Sequence, residues 1–135
     1  MKTILVGTDF NEGSKKAMMA ARELAQSFDA TVHLLHVLEP VDDPDSDDPE
    51  TQDFYAKLKA KSQANLDSAV RELSPIEAQT SIRVGHRHPT LLKVAEEIDA
   101  DLIVLGSNPI SAEAQRIGTS HRVAVTSSRP VLLVP

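Results

Sequence analysis

At 135 residues, with a net charge of −6 and no cysteine, the chain has the size of one domain whose core needs no disulfide or thiolate-metal staple. No run approaches the ~18 apolar residues of a membrane span, and the apolar start Ile4-Leu5-Val6 is too short for a signal core. No basic face or aromatic platform accompanies Phe10, Phe28, Phe54 and Tyr55, which argues against nucleic acid as a partner; the expectation is a soluble, cytoplasmic protein.

In chain order, Ile4-Leu5-Val6-Gly7 reads as a buried strand that ends at Thr8-Asp9 and the turn formers Asn11-Glu12-Gly13. Ala17, Met18, Ala21, Leu24, Ala25 and Phe28 then recur at helical spacing, with Lys15, Lys16, Arg22 and Glu23 on the other side. Thr31 to Leu38 is a second apolar strand. Residues 39–50 hold seven acids, no base and Pro40, Pro44 and Pro49, which predicts an acidic surface loop; the rest of the chain, 14 bases against 13 acids, is close to neutral. Tyr55, Leu58, Leu66, Ala69, Val70 and Leu73 mark a long helix that stops before Pro75. Ala78 to Val84 alternates in polarity as an edge strand does. Pro89 is expected at a first helical position, ahead of Leu91, Leu92, Ala95 and Ile98 on one face. A fourth strand at 101–105, a short turn or helix at 111–117, a helix at 119–127 and a fifth strand at 130–134 complete the chain.

This alternation predicts a single α/β domain over residues 1–135. It has a doubly wound five-stranded parallel sheet, helices on both faces and right-handed crossovers. Open parallel sheets bind ligands beyond the carboxyl ends of their strands, where strand order reverses. The groups expected there are Thr8 and Asp9 after strand one, Val37 in strand two, and Gly106, Ser107 and Asn108 after strand four. Gly118, Thr119 and Ser120 open the last helix at that same edge, and a helix start offers unpaired N–H groups to an anion. Plainer roles exist for each. Thr and Ser favour helix caps, Asp9 suits a cap on the turn at Asn11-Glu12-Gly13, and Gly85 and Gly106 suit turns.

Other chemistries lack their residues. Asp43, Asp45 and Asp47 alternate like a calcium loop, yet the glycine which that loop needs for its sharp turn is absent. His33 and His36, three apart on a strand, face opposite ways, and His86 and His88 have no third ligand at a diagnostic spacing, so no metal site is expected. There is no Gly-x-Ser-x-Gly elbow, no cysteine nucleophile and no intact phosphate loop, so no catalytic residues are assigned. A phosphoacceptor domain of this architecture needs a Lys ending strand five, and no Lys follows Lys93.

Across nearly its whole length the chain resembles the universal stress protein family. The resemblance is carried by Ile4-Leu5-Val6-Gly7-Thr8-Asp9 with Ser14, by Val32-His33-Leu34-Leu35-His36-Val37 and by Gly85. It continues through Val94-Ala95-Glu96-Glu97, Ala100-Asp101-Leu102-Ile103-Val104-Leu105-Gly106 and Arg129-Pro130-Val131-Leu132-Leu133-Val134. The family implies a sheet in order 3-2-1-4-5, a dimer and a role in stress response. Its ATP-binding branch carries Gly, two residues, Gly, nine residues, Gly, then Ser or Thr. Gly106 and Gly118-Thr119 match the outer positions. Pro109 stands at the second glycine, and the spacing to Gly118 is one residue short, so the phosphate loop is degenerate.

Two functions follow from the resemblance. One is a stress-response domain that binds an adenine nucleotide (ATP, ADP or AMP, with magnesium as its counter-ion) through Thr8, Asp9, Val37, Gly106, Ser107, Asn108, Gly118, Thr119 and Ser120. The other is a nucleotide-free dimeric module that acts through an unknown protein partner. Neither is an enzyme. In both, the apolar strand 130–134 is the expected homodimer edge.

Overall fold

The computed structural model describes residues 1–41, 43–107 and 118–135. Asn108, Pro109 and the turn or helix expected at 111–117 lie outside the described residues. Among those described, five strands and four helices alternate: β1 (Thr3–Gly7), α1 (Glu12–Phe28), β2 (Thr31–Leu38), α2 (Pro49–Leu73), β3 (Ala78–Val84), α3 (Arg87–Glu97), β4 (Leu102–Gly106), α4 (Thr119–Thr126) and β5 (Val131–Val134). The strands pair in parallel in the order β3-β2-β1-β4-β5, as expected, with Leu5 opposite His33 on one side and Ile103 on the other. No helix of the described residues is long and apolar enough to cross a membrane.

The two-residue period of a strand divides each apolar run between two cores. Ile4, Val6, Val32, Leu34, Leu102 and Val104 face Ala17, Met18, Ala21 and Ala25 of α1 and Leu66 and Leu73 of α2. Leu5, Leu35, Val37, Ile103 and Leu105 face Leu91, Val94 and Ala95 of α3 and Val123 of α4. Continuous rather than alternating hydrophobicity is thus the mark of a sheet covered on both sides. His33 and His36 obey the same period. His33 Nε2 meets Ser81 Oγ at 2.7 Å, whereas the His36 ring packs on Phe10 at a centroid distance of 4.6 Å.

Several element boundaries differ from the sequence reading, each for a local reason. Asn11, Glu12 and Gly13 are not a turn: Asn11 caps α1, its Oδ1 accepting from Ser14 N at 2.8 Å, and Glu12 and Gly13 form the first helical turn. Turns and helix caps draw on the same residue types, so sequence alone does not separate them. The acidic loop ends at Asp48, because Pro49 starts α2 at a position where a missing N–H costs nothing. Helix α3 starts at Arg87, with His86 as N-cap, which leaves Pro89 third in the helix. That position still lies in the first turn, whose N–H groups lack intrahelical acceptors. Strand β4 runs one residue further than expected, to Gly106 opposite Val134, and Ser107 N extends the ladder by donating to Val134 O at 2.8 Å.

The glycine at the end of β4 has a packing reason. A Cβ on Gly106 would lie 2.6 Å from the backbone carbon and oxygen of Gly13, so the missing side chain of Gly106 lets the start of α1 press against the sheet. Gly106→Ala is expected to destabilise the protein by about 1–3 kcal/mol, the usual cost of overpacking, read as a lower urea midpoint at unchanged slope.

A second tie joins the start of β1 to β4. Asp101 Oδ2 accepts from Lys2 N at 2.7 Å and Thr3 N at 2.9 Å, while Asp101 N donates to Thr3 O at 2.8 Å. The hydrogen bond from Lys2 N, then that from Thr3 N, holds the Asp101 carboxyl below its ordinary value of 3.8. A carboxylate with a depressed folded-state pKa contributes stability that is present above its unfolded pKa and lost as pH falls through the folded one. Asp101→Asn is therefore expected to lower Tm at pH 7, with the difference from wild type closing below about pH 4. Equal melting losses at pH 7 and pH 3 would contradict this account.

Candidate functional site

At the carboxyl end of β1 the chain must turn from a buried strand into α1 within four residues. Thr8 N donates to Leu35 O at 2.9 Å, and Thr8 O accepts from His36 Nδ1 at 2.7 Å, which ties the residue to β2. Its hydroxyl oxygen accepts from Phe10 N at 3.1 Å. Phe10 sits in the left-handed region at φ 63°, a conformation costing an aromatic residue about 1–3 kcal/mol. The contact with His36 and the bond to Thr8 hold it there. Asp9, between them, donates its backbone N–H to Ser14 Oγ at 2.9 Å. Asp9 is thus held at the rim by the first turn of α1, whose cap is Asn11.

Thr8 and Asp9 line one side of a cleft that opens beyond the carboxyl ends of β1, β2 and β4. Gly7, Ser14, Leu35, Val37, Arg87, Leu91, Leu105, Gly106, Thr119 and Ser120 complete the lining. Six of the nine residues expected at a binding site (Thr8, Asp9, Val37, Gly106, Thr119 and Ser120) are therefore brought to one cavity. Ser107 and Gly118 flank it, Ser107 with its N–H on Val134 O and Gly118 as the N-cap of α4. Asn108 lies outside the described residues.

Strand pairing gives Val37 a specific place. Leu35 O accepts from Thr8 N, on the β1 side, and Leu38 O accepts from Gly85 N, on the β3 side. In a parallel ladder successive residues present their backbone groups to alternate sides. Val37 therefore presents its N–H and C=O toward β1, two residues past the last β1–β2 pair, Gly7 with Leu35. Beyond the end of β1 that edge meets the cleft.

The opposite end of the cleft is the start of α4. Gly118 has extended backbone, brings no side chain and makes no capping bond. The first helical bond is Arg122 N to Gly118 O at 3.2 Å, so the N–H groups ahead of it are the orphan donors of a helix start. The Ser120 hydroxyl donates to Gly106 O at 2.6 Å, which ties α4 to the end of β4.

Arg87 was not foreseen as a site residue. It is the first residue of α3, and its Nη2 stands 3.5 Å from Asp9 Oδ1 while its Nε stands 3.8 Å from Glu39 Oε1. The buried Nε has no hydrogen-bond partner among the described residues. Side-chain exposures of 43% for Arg87, 39% for Asp9 and 49% for Glu39 make these solvent-screened pairings, each worth about 0–1 kcal/mol. The available signal was the basic run Gly85-His86-Arg87-His88 at the end of β3, on the same rim. Among the described residues no group of three His, Cys, Asp or Glu is placed to hold a metal ion.

The sequence profile described as "Universal stress protein family" matches residues 1–135. Universal stress protein G of Salmonella typhimurium is 32% identical over 145 aligned positions, covering 98% of each chain. Among solved structures, the hypothetical protein MJ0577 superposes with a TM-score of 0.84 at 26% identity, covering 98% of this chain and 94% of that one. A universal stress protein solved in complex with cAMP superposes at 0.77 and 26% identity, over 99% of this chain and 97% of its own. The chain belongs to the universal stress protein family.

Proposed function

We propose that this stress protein binds an adenine nucleotide in the cleft above β1, β2 and β4, and that it is a binding domain rather than a catalyst. The observation that carries this reading is the convergence of Asp9, the free edge of Val37 and the uncapped start of α4 on one cavity. Asp9 accepts hydrogen bonds from the base amine or the ribose. Val37 offers one donor and one acceptor to the base edge. Thr119 and the first N–H groups of α4, that of Ser120 among them, face the phosphates, with a helix dipole worth about 0.3–1 kcal/mol per favourable charge. Pro109, at the position of the family's second loop glycine, has no N–H to give, so main-chain contact with the phosphates rests on the α4 side. Affinity is accordingly expected to be weak. The relative solved with cAMP supports the ligand class, and the absence of cysteine fits a cytoplasmic protein.

The test is titration calorimetry with adenosine, AMP and ATP, the last with magnesium. Asp9→Ala is expected to weaken adenosine about tenfold or more, as the loss of a hydrogen bond to a charged group (about 1.5–3 kcal/mol) requires. Absence of heat with all three ligands would favour the second reading, a nucleotide-free interaction module. That reading draws on the pairing of Asp9 with Arg87, a charge contact at 3.5 Å that a nucleotide would have to share.

We further infer a homodimer formed through β5. Among the described residues this strand pairs with β4 alone and lies at the end of the sheet. Its Leu132 is exposed, and an unpaired apolar edge is a template for a two-fold mate. Light scattering at micromolar concentration should give twice the chain mass, and Leu132→Lys should shift the population toward monomer. A wild-type chain that stays monomeric would remove the proposal.

A further inference from the structure

The charge of the cleft is set by two side chains. Among the described residues that line it, only Asp9 and Arg87 are charged, and they stand against each other at 3.5 Å. Without Arg87 the lining would carry one net negative charge, with Glu39 nearby and the acidic run 39–50 starting at its edge. A phosphate-bearing ligand would then enter a repulsive field on a protein already at −6. With Arg87 the lining is neutral. Its guanidinium is also uncommitted: 3.5 and 3.8 Å are ion-pair distances rather than well-formed hydrogen bonds, and Nε has no partner among the described residues. A cation held loosely by two carboxylates is available to a third anion.

We propose that Arg87 is the specificity-determining residue of the cleft. It selects phosphate-bearing ligands over neutral nucleosides, and Glu39 is the internal anion whose hold on Arg87 such a ligand replaces. The proposal rests on the nucleotide reading above and adds the ligand's charge class to it. Arg87 opens α3 and Thr119 opens α4, and both line the same cavity. Distances of 3.5 and 3.8 Å are those of charge pairing, so selection works by charge and does not require the guanidinium fork.

The experiment measures binding of adenosine, AMP and ATP to the full chain and to Arg87→Ala, Arg87→Lys and Glu39→Gln, each checked for an unchanged melting transition. Arg87→Ala is expected to weaken AMP and ATP about five- to tenfold, the size of one partly screened charge, and to leave adenosine within about twofold. Arg87→Lys, which keeps the charge and loses the fork, should retain most of the AMP affinity. Glu39→Gln should tighten AMP about two- to threefold and leave adenosine unchanged. Equal weakening of adenosine and AMP in Arg87→Ala would reduce Arg87 to a wall of the cavity. Tighter AMP in that variant would make it a latch that keeps Asp9 shut. Either result overturns the proposal. Inorganic pyrophosphate separates the two readings. If wild type binds no nucleotide but shows a saturable pyrophosphate response that Arg87→Ala loses, the nucleotide reading falls and anion selection by Arg87 stands. If wild type responds to neither, both fall.

Discussion

Strand β1 is the constraint on which the rest of the molecule depends. Ile4, Leu5 and Val6 are fully buried, with a strand on each side and a helical layer on each face. A strand in that position has no solvent-facing side to relax into, so its register with β2 and β4 is fixed by packing on both faces at once. It is also where the sheet reverses: β2 and β3 lie to one side, β4 and β5 to the other. Helix α1 packs on one face of the sheet and α4 on the other, and the cleft opens at their starts. The cavity is thus a product of chain topology before any side chain contributes chemistry.

Around that opening the backbone does most of the positioning. Thr8 is pinned by a main-chain bond and by the His36 ring, and Ser14 holds the amide of Asp9. Gly106 lets α1 close against β4, and the Ser120 hydroxyl ties α4 to that same residue. Three of the four helices reach the rim through named residues: α1 by Ser14, α3 by Arg87 and α4 by Thr119 and Ser120. Strain at Phe10 fits this arrangement, since the chain has few residues in which to leave the sheet and begin a helix. Such strain persists only where the surroundings over-determine it.

Strand positions were legible because the apolar runs of β1, β2 and β4 have no other stable home than a doubly covered sheet, whereas the sheet order was implied by the family resemblance. Helix starts were less legible. Asn11 and Pro49 carry the residue types of turns and loops, and only the hydrogen bond to Ser14 N and the placement of Asp48 as N-cap assign them to helices. Gly106 was read as a loop glycine near a ligand. It is a strand residue whose missing side chain makes room for Gly13, a contact between positions 93 residues apart that no local pattern encodes. Arg87 escaped for a related reason. Its partners Asp9 and Glu39 follow other strands, and a lone cation among His86 and His88 has no periodicity to mark it.

Position 118 carries a cost that the fold does not impose. Its backbone angles are those of an ordinary L-residue, and an added Cβ would meet nothing within 4 Å, so steric fit gives no reason for glycine. Serine or aspartate in that slot would fasten the beginning of α4 and raise stability by roughly a few tenths of a kcal/mol. Such a side chain would also consume the main-chain donors that now point outward. The sequence forgoes an available gain in rigidity and keeps those amides vacant, the exchange of robustness for recognition expected where a protein must leave something for its ligand to complete.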